Sequence, residues 1–382
     1  MRFPEFTGEW VRKRIGDDCS ILMCKRIFAN QTAESGDVPF YKIGTIGEKA
    51  DAYITKALYE EYKHKYNFPQ KGEVLISCAG TVGKTIIYDG EPAYYQDSNI
   101  VWLSNPKHLY LNEFLRYVLI RVDWSKLNTT TIVRIYNNNL RELRINYPCL
   151  KEQQKIVNLL RLLDKRISTQ NRVIDKLESL IKGIVVTHFN NVLNKQTITI
   201  ANLGESYSVG NLSKEDLTTT GEPCILYGEL FTTYGCVAHN ISSKTKNFEQ
   251  ATLSQKGDLL FPASTTVDAV SLISPTTIQT SGVYVAGDMF GIHIARQYNS
   301  EYISYLLNYV YNGKLAKYAQ GSTIIHLHYN DIKTATIQVP TLAEQNKCSL
   351  LLELFQKKLT AERSLLNMYQ VQKNYLLQNM FI

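Results

Sequence analysis

The chain has no apolar run approaching the eighteen or so residues that a membrane-crossing helix needs. Its opening, MRFPEFTGEW, carries acids and Pro4 where a secretory leader would be apolar. Both absences lead to the expectation of a cytoplasmic protein with no membrane partner. Cysteine is scarce and poorly placed for structural chemistry: there are seven (19, 24, 78, 149, 224, 236, 348), an odd number, never spaced Cys-x-x-Cys. That speaks against a disulfide framework and against a cysteine zinc site, and leaves buried reduced thiols. Catalytic signatures are missing too. There is no Gly-x-Ser-x-Gly, no His-Glu-x-x-His, no Gly-x-Gly-x-x-Gly, and no Asn-Pro-Pro-Tyr/Phe of the amino-methylating enzymes. His326 and His328 would share one strand face, but no third ligand accompanies them, so no metal is expected.

One motif invites an enzymatic reading. The stretch LISCAGTVGKTIIYDG, residues 75–90, contains Gly83-Lys84-Thr85. A phosphate-binding loop needs a glycine five residues before Gly83, so that successive backbone N–H groups can turn toward the phosphates. Cys78 stands there, and Gly80 comes two residues late. Gly80 and Gly83 read instead as turn residues between strands, where positive φ is tolerated. A nucleotide-binding enzyme would require that Lys84→Ala abolish ATP binding.

What is present is an ordinary globular composition, 44% hydrophobic and 20% charged, in 382 residues, more than one core usually holds. Two or more domains are therefore expected. The net charge of +7 is unevenly placed: residues 1–190 hold 28 Lys/Arg against 21 Asp/Glu, whereas 191–382 hold 14 of each. The whole surplus lies in the first half, which permits a nucleic acid partner.

An internal repeat organises the chain. YPCLKEQQKI at 147–156 matches VPTLAEQNKC at 339–348, an offset of 192. The offset also pairs Asn138 with Asn330, Glu152-Gln153 with Glu344-Gln345, and Phe189 with Phe381. Upstream the match is looser: GEVLIS from Gly72 is matched by GDLLFP from Gly257, and the counterpart of the Gly80–Lys84 loop is TTVDA, without glycine or lysine. Two divergent units of about 190 residues follow.

Each unit ends in a long amphipathic helix. Ile156, Leu160, Leu163, Ile167, Ile174, Leu177, Ile181 and Ile184 fall at alternating spacings of four and three, broken by Gln170; Leu352, Phe355, Leu359, Leu366, Tyr369 and Leu376 keep the same register, with Glu362 and Lys373 as polar interruptions. A helix of about 38 residues would be on the order of 57 Å long. A bare apolar seam needs a cover, and the nearest is the other repeat's helix, parallel or antiparallel; packing on the unit's own globular part is the alternative. The preceding segments, including VLISCAG, KTIIYDG, NIVWLS, LNEFLRYVLI and SEYISYLLNYVYNGKLAKYA, alternate strand and helix character, which predicts α+β domains with antiparallel strands. The divisions expected are globular domains at 1–150 and 191–341, and helices at 151–190 and 342–382.

Polar, aromatic and basic residues collect in segments that read as loops: YEEYKHKYNF (59–68), NTTTIVRIYNNN (128–139) with QGSTIIHLHYN (320–330), and FYKIGT (40–45) with ILYGELFTTYG (225–235). Hydroxyls, amides and cations of this kind suit phosphates and base edges, as they suit any solvated surface. The candidates for DNA contact are Thr130, Thr131, Arg134 and Tyr136 in the first unit, and Tyr227, Ser322, Thr323, His326 and His328 in the second. Tyr41, Lys42, Lys63, Lys65 and Lys84 add a basic set suited to phosphate.

RFPEFTGEW (2–10), GEVLISCAGTVGKT (72–85) and the paired PCLKEQQKI and PTLAEQNKC, set within a tandem repeat with long helices, resemble the specificity subunits of type I restriction-modification enzymes over nearly the whole chain. The resemblance implies a non-catalytic subunit with two target recognition domains, each reading half of a split DNA sequence. They would be held apart by an antiparallel coiled coil of the two helices, giving a pseudo-twofold internal repeat. It implies partners as well: double-stranded DNA, two methyltransferase subunits that bind S-adenosylmethionine and methylate adenine N6, and restriction subunits for ATP-dependent translocation and cleavage. S-adenosylmethionine, ATP and Mg would belong to those partners and no cofactor to this chain. The rival reading, a coiled-coil structural adaptor, predicts no dependence on DNA sequence.

Overall fold

The structure, a computed structural model, describes residues 1–127 and 133–381. It divides into two compact units, Met1–Gln170 with Leu365–Ile382, and Asn171–Ser364. The reason is visible in the two long helices, Leu150–Asn191 and Leu342–Asn379, each of which contributes one half to each unit.

Within each unit the helix halves run antiparallel. In the first, Leu376 and Leu377 share a core with Ile156 and Leu160, Lys373 pairs with Asp164 at 2.6 Å, and the Arg166 guanidinium lies 5.8 Å from the Tyr369 ring. Numbers rise along one helix as they fall along the other. In the second unit Glu178 pairs with Arg363 at 2.6 Å and His188 faces Glu344 at 3.4 Å, the same reversed order. Of the seam residues, Ile156, Leu160, Leu163, Ile174, Ile181, Leu352, Leu359 and Leu376 are buried, while Ile167, Leu177, Ile184, Phe355, Leu366 and Tyr369 are half-buried, because a single partner helix leaves the flanks of a seam open. Val157, Val185, Phe189 and Leu377 are also buried, which heptad spacing does not predict. They lie near the helix ends, where a second face packs on a globular domain. Helix partner and globular domain thus both cover these helices.

The repeat is reproduced strand by strand. In the first unit a four-stranded antiparallel sheet has the order Ser20–Leu22, Ile100–Ser104, Val74–Ser77, Thr85–Ile87. In the second the order is Gly204–Ser208, Met289–Ile294, Leu259–Pro262, Thr276–Ile278, with Val237–Ala238 added at the edge. A further sheet runs Tyr53–Ile54, Val38–Tyr41, Tyr94–Tyr95 in the first unit, and its counterpart Lys244–Thr245, Glu222–Leu226, Tyr284–Ala286 in the second is extended by Leu217–Thr218 and Thr252–Leu253. A two-stranded ribbon leads into each long helix: Val11–Arg14 with Arg144–Tyr147, and Lys195–Thr199 with Thr336–Pro340.

The expectation of antiparallel strands holds apart from three parallel pairs, Val38–Tyr41 with Tyr94–Tyr95, Glu222–Leu226 with Tyr284–Ala286, and Val237–Ala238 with Thr276–Ile278. Each joins strands separated by a long connection, which lets the chain return in the same direction. All four residues of Val74–Ser77 are buried. Side-chain alternation explains why: Val74 and Ile76 enter the core that also holds Ile156 and Leu160, while Leu75 points into a second core with Trp102, Tyr94 and Tyr59.

The expected loops are partly ordered: Val38–Tyr41 and Ile325–His326 are strands, Asn137–Glu142 and Tyr329–Ile332 are short helices, and two further segments depart most. Residues 56–65 form the helix Lys56–Lys65, capped by the Thr55 hydroxyl, which accepts from the Leu58 N–H at 3.3 Å. Its buried residue is Tyr59, and its last turn carries Lys63, His64 and Lys65, where cations suit the helix dipole. Residues 225–235 complete the strand Glu222–Leu226 and then form helical turns at Tyr227–Glu229 and Leu230–Tyr234. In both places a few buried anchors, Tyr59 in one and Leu230 and Tyr234 in the other, order a polar segment.

Candidate nucleic-acid interface

The two copies meet a common backbone plan where the chain returns from the candidate segments. In the first unit the Ile135 N–H donates to the Cys78 carbonyl at 2.8 Å; in the second the Leu327 N–H donates to the Ala263 carbonyl at 2.9 Å. Ile135 and Leu327, 192 residues apart, are both buried. Their neighbours turn the other way: Tyr136, His326 and His328 are exposed and Arg134 is half-buried. The next bond also repeats. The Tyr136 N–H donates to Asn139 Oδ1 at 2.8 Å, and the His328 N–H to Asp331 Oδ2 at 2.8 Å, which starts the short helices Asn137–Glu142 and Tyr329–Ile332.

The fixed frame presents different chemistry. The Arg134 guanidinium lies 5.8 Å from the Tyr136 ring, an arrangement able to stack and to donate in a fork. His326 and His328 lie face to face, ring centroids 6.2 Å apart and planes 13° apart. Between Gln320 and His326 two backbone bonds of 2.9 and 2.7 Å close the turn that carries the exposed Ser322 and Thr323. Thr130 and Thr131 lie outside the described residues.

Of the basic set, Lys42 and Lys84 belong to two neighbouring loops. Thr81 Oγ1 donates to the Ile43 carbonyl at 2.9 Å, and Lys84 pairs with Glu48 at 2.7 Å, holding that carboxyl below its usual range. Lys42 pairs with Asp51 at 2.9 Å and Lys65 with Glu61 at 2.8 Å. Exposed pairs of this kind contribute about 0–1 kcal/mol, so the ammonium groups remain able to turn toward phosphate. Lys63 rests over Tyr59 and Phe68, at 5.1 and 5.5 Å from the ring centroids. Tyr41 stacks on Tyr95 at 5.7 Å, and Tyr227, partly exposed, begins the helical turn after its strand. The Lys63 and Lys65 helix is a separate element from the loops bearing Lys42 and Lys84.

The Gly83-Lys84-Thr85 motif is the second half of a hairpin. Ser77 and Lys84 exchange backbone and side-chain bonds, Gly80 and Gly83 have φ of 65° and 84°, and the loop leads into the strand Thr85–Ile87 where a phosphate loop would start a helix. A Cβ at Gly83 would run into the Trp124 indole. Six of the seven cysteines are buried; burial pushes the thiols of Cys19, Cys24, Cys78 and Cys236 up to about 12 and those of Cys224 and Cys348 to about 11, so none of these six is a poised nucleophile. Among the described residues no group of three or more His, Cys, Asp and Glu side chains is arranged to hold a metal ion, and no helix is long and apolar enough to cross a membrane.

The motif at the helix junctions has a structural task that residue types alone did not reveal. Gln153 is fully buried; its Oε1 accepts from the Leu111 N–H at 2.8 Å, and its Nε2 donates to the carbonyls of Leu109 and Pro148 at 3.0 and 2.9 Å. Gln345 does the same with the Asn299 N–H and the Pro340 carbonyl, both at 2.8 Å. Arg2 grips the buried Glu152 carboxylate through Nε and Nη2, each at 2.8 Å, and Trp10 Nε1 reaches it at 3.3 Å. RFPEFTGEW is therefore an anchor on the first turn of the long helix. The signal available in sequence was the identity of Glu-Gln in both copies.

A twice-repeated α+β domain, each copy seated on halves of the same two antiparallel helices, defines the class of protein. The chain belongs to the type I restriction modification DNA specificity domain family, whose model matches residues 7–179 and again 190–367. Among curated proteins it is 49% identical over 168 residues, 44% of this chain and 43% of the relative, to a putative type I restriction enzyme specificity subunit, S.HindORF215P, of Haemophilus influenzae. It is 25% identical over 217 residues, 53% of this chain and 50% of the relative, to the putative type I restriction enzyme MjaX specificity subunit of Methanocaldococcus jannaschii. The chain thus spans about half the length of the curated relatives it matches. The fold is shared with the type I restriction-modification system S subunit of M. genitalium, with a TM-score of 0.60, 16% identity, and 100% of this chain and 99% of that one covered. It is shared also with a chain from a structure addressing complex assembly and conformational transition of the type I R-M system, with a TM-score of 0.53, 14% identity, and 99% and 98% covered.

Proposed function

We infer that this chain is the DNA sequence-specificity subunit of a type I restriction-modification complex. Each globular domain reads one half of a bipartite DNA site, and the chain itself carries no catalytic group. The observation that carries the reading is the pair of equivalent edges: one backbone frame, fixed by the bonds of Ile135 and Leu327, bears Arg134 and Tyr136 in one copy and His326 and His328 in the other. A scaffold that keeps its frame and changes its outward side chains suits two different base sequences. Arg134, Tyr136, His326 and His328 are assigned to base edges or the adjoining backbone, with Ser322, Thr323 and Tyr227 beside them. Lys42, Lys63, Lys65, Lys84 and Tyr41 are assigned to phosphate and sugar.

The complex would form in the cytoplasm, with methyltransferase subunits docked on this chain and restriction subunits joined through them. S-adenosylmethionine, ATP and Mg would be bound by those partners. The test is to co-express the chain with a type I methyltransferase subunit and map N6-methyladenine across host DNA. A split motif with a fixed spacer, altered in one half only when residues 1–150 are exchanged, is the expected result. An assembled, S-adenosylmethionine-binding complex that methylates without any motif would overturn the reading and leave a structural adaptor.

A further inference from the structure

The strands that enter the long helices are alike on their inner faces, although Lys13 stands opposite Ile145 where the buried Ile198 stands opposite Ile337, and the outer faces of the two ribbons differ. Inward, Ile145 and Tyr147 of the first match Ile337 and Val339 of the second, all buried. Outward, the first ribbon sets Arg14 directly opposite Arg144 and Arg12 opposite Asn146. The second sets Thr199 opposite Thr336 and Thr197 opposite Gln338. Three arginines of one copy thus occupy the places of three threonines in the other.

The fold does not ask for those arginines. Like charges directly opposite on adjacent strands are destabilising, whereas a threonine pair is favourable, so the second ribbon has the arrangement that stability alone would select. Arg14 is partly offset by Glu142 at 3.1 Å and Asp17 at 3.6 Å. Among the described residues neither Arg12 nor Arg144 has an ion-pair partner, and both are exposed. Lys13 and Lys107 add charge nearby, although both are engaged with the buried Asp18. The ribbon also lies close along the chain to the reading edge of its unit: only the helix Asn137–Glu142, on the order of 9 Å long, and one further residue separate Tyr136 from Arg144.

We propose that the outward face of the first ribbon, Arg12, Arg14 and Arg144, holds the sugar-phosphate backbone of duplex DNA beside the bases read by the first domain, and that the second domain has no equivalent grip. The inference rests on the DNA-reading function above. Guanidinium forks match phosphate oxygens and are only weakly hydrated, so three on one exposed face form an anion-binding surface. Such contacts position the protein on any sequence and add to affinity in proportion to the counterions released. The asymmetry also accounts for part of the charge surplus confined to residues 1–190.

The test uses the chain assembled with its methyltransferase subunits, binding duplexes with and without the methylated motif over a range of salt. The variant R12T/R14T/R144T gives the first ribbon the outer face of the second. Its plot of log K against log salt should be shallower by about 0.9 for each phosphate that the ribbon no longer neutralises, about 1 to 3 in total, on both duplexes, with the motif unchanged. The reverse graft, T197R/T199R/T336R, should steepen the plot. An unchanged slope in a variant with wild-type thermal unfolding overturns the proposal. So does loss of a methyltransferase subunit at an unchanged DNA slope, which would make the face a protein-docking surface. A wild-type complex without any sequence preference would sink the reading of function instead, while the difference in slope would still judge the ribbon.

Discussion

The two helix junctions use the same dipeptide for different ends. Gln153 and Gln345 both sit buried in the first turn of a long helix and tie it to the loop before a globular-domain helix, through bonds that match almost atom for atom. The glutamates before them diverge. Glu152 is buried beneath Arg2 and Trp10, whereas Glu344 is partly exposed and faces His188. The glutamine is the constant of the junction because it satisfies backbone groups that any sequence would present there. The glutamate is free to take a partner from whichever chain segment arrives, the N-terminal arm in one copy and the end of the first long helix in the other.

The two candidate edges obey the same division. What is bonded through the backbone repeats, and what points to solvent does not. Leu160 and Leu352 are equivalent seam positions and both fully buried, so Leu160→Ala and Leu352→Ala should each cost about 2–5 kcal/mol by chemical unfolding. A large inequality between them would break the symmetry of the two packing sites. Gln153→Leu should follow, at on the order of 3 kcal/mol, since it strands a buried N–H and two carbonyls; Gln345→Leu, with one carbonyl fewer among its bonds, should cost less.

Specificity changes come next and should be confined to one half-site each. If Arg134 grips a base, Arg134→Ala should relax the methylated motif at one position of one half by about 1–3 kcal/mol; if it holds phosphate, binding should weaken on all sequences and the salt slope should fall by about one. His326→Ala should act on the other half alone. Unchanged affinity and motif for both would remove this edge as the reading surface. The smallest effect is expected for Lys84→Ala, which loses an exposed ion pair with Glu48 and has no helix behind it to support a nucleotide site. Its thermal unfolding should stay close to wild type, and measured ATP binding that vanished with this substitution would reopen the phosphate-loop interpretation.

The seam of alternating fours and threes, the offset of 192 and the strands VLIS, TII and IVWLS could all be read directly, because each depends on local periodicity and on which residues must be buried. The helix Lys56–Lys65 could not: its composition is polar, and the reason it is ordered is Tyr59, packed against residues distant in sequence. The candidate residues were found by type, and their grouping was hidden. Arg134 and His326 were visible as polar positions in matching segments, but nothing local said that each flanks a residue bonded to the strand end at Cys78 or Ala263. The arginine face of the first ribbon was hidden for the same reason, since Arg14 and Arg144 meet only across a strand pairing.

By itself, then, the sequence determined that there are two copies of one domain, that each ends in a helix with a seam to cover, and that no familiar catalytic constellation is encoded. It left parallel and antiparallel helix pairing open, because an apolar seam is covered equally well either way. Tertiary structure decided that question through contacts that run in reverse order, Asp164 with Lys373 and Arg166 with Tyr369 in one unit, Glu178 with Arg363 and His188 with Glu344 in the other. It also decided which exposed side chains share an edge or a face, since backbone hydrogen bonds between segments distant in the chain set their directions and no local pattern encodes such a partner.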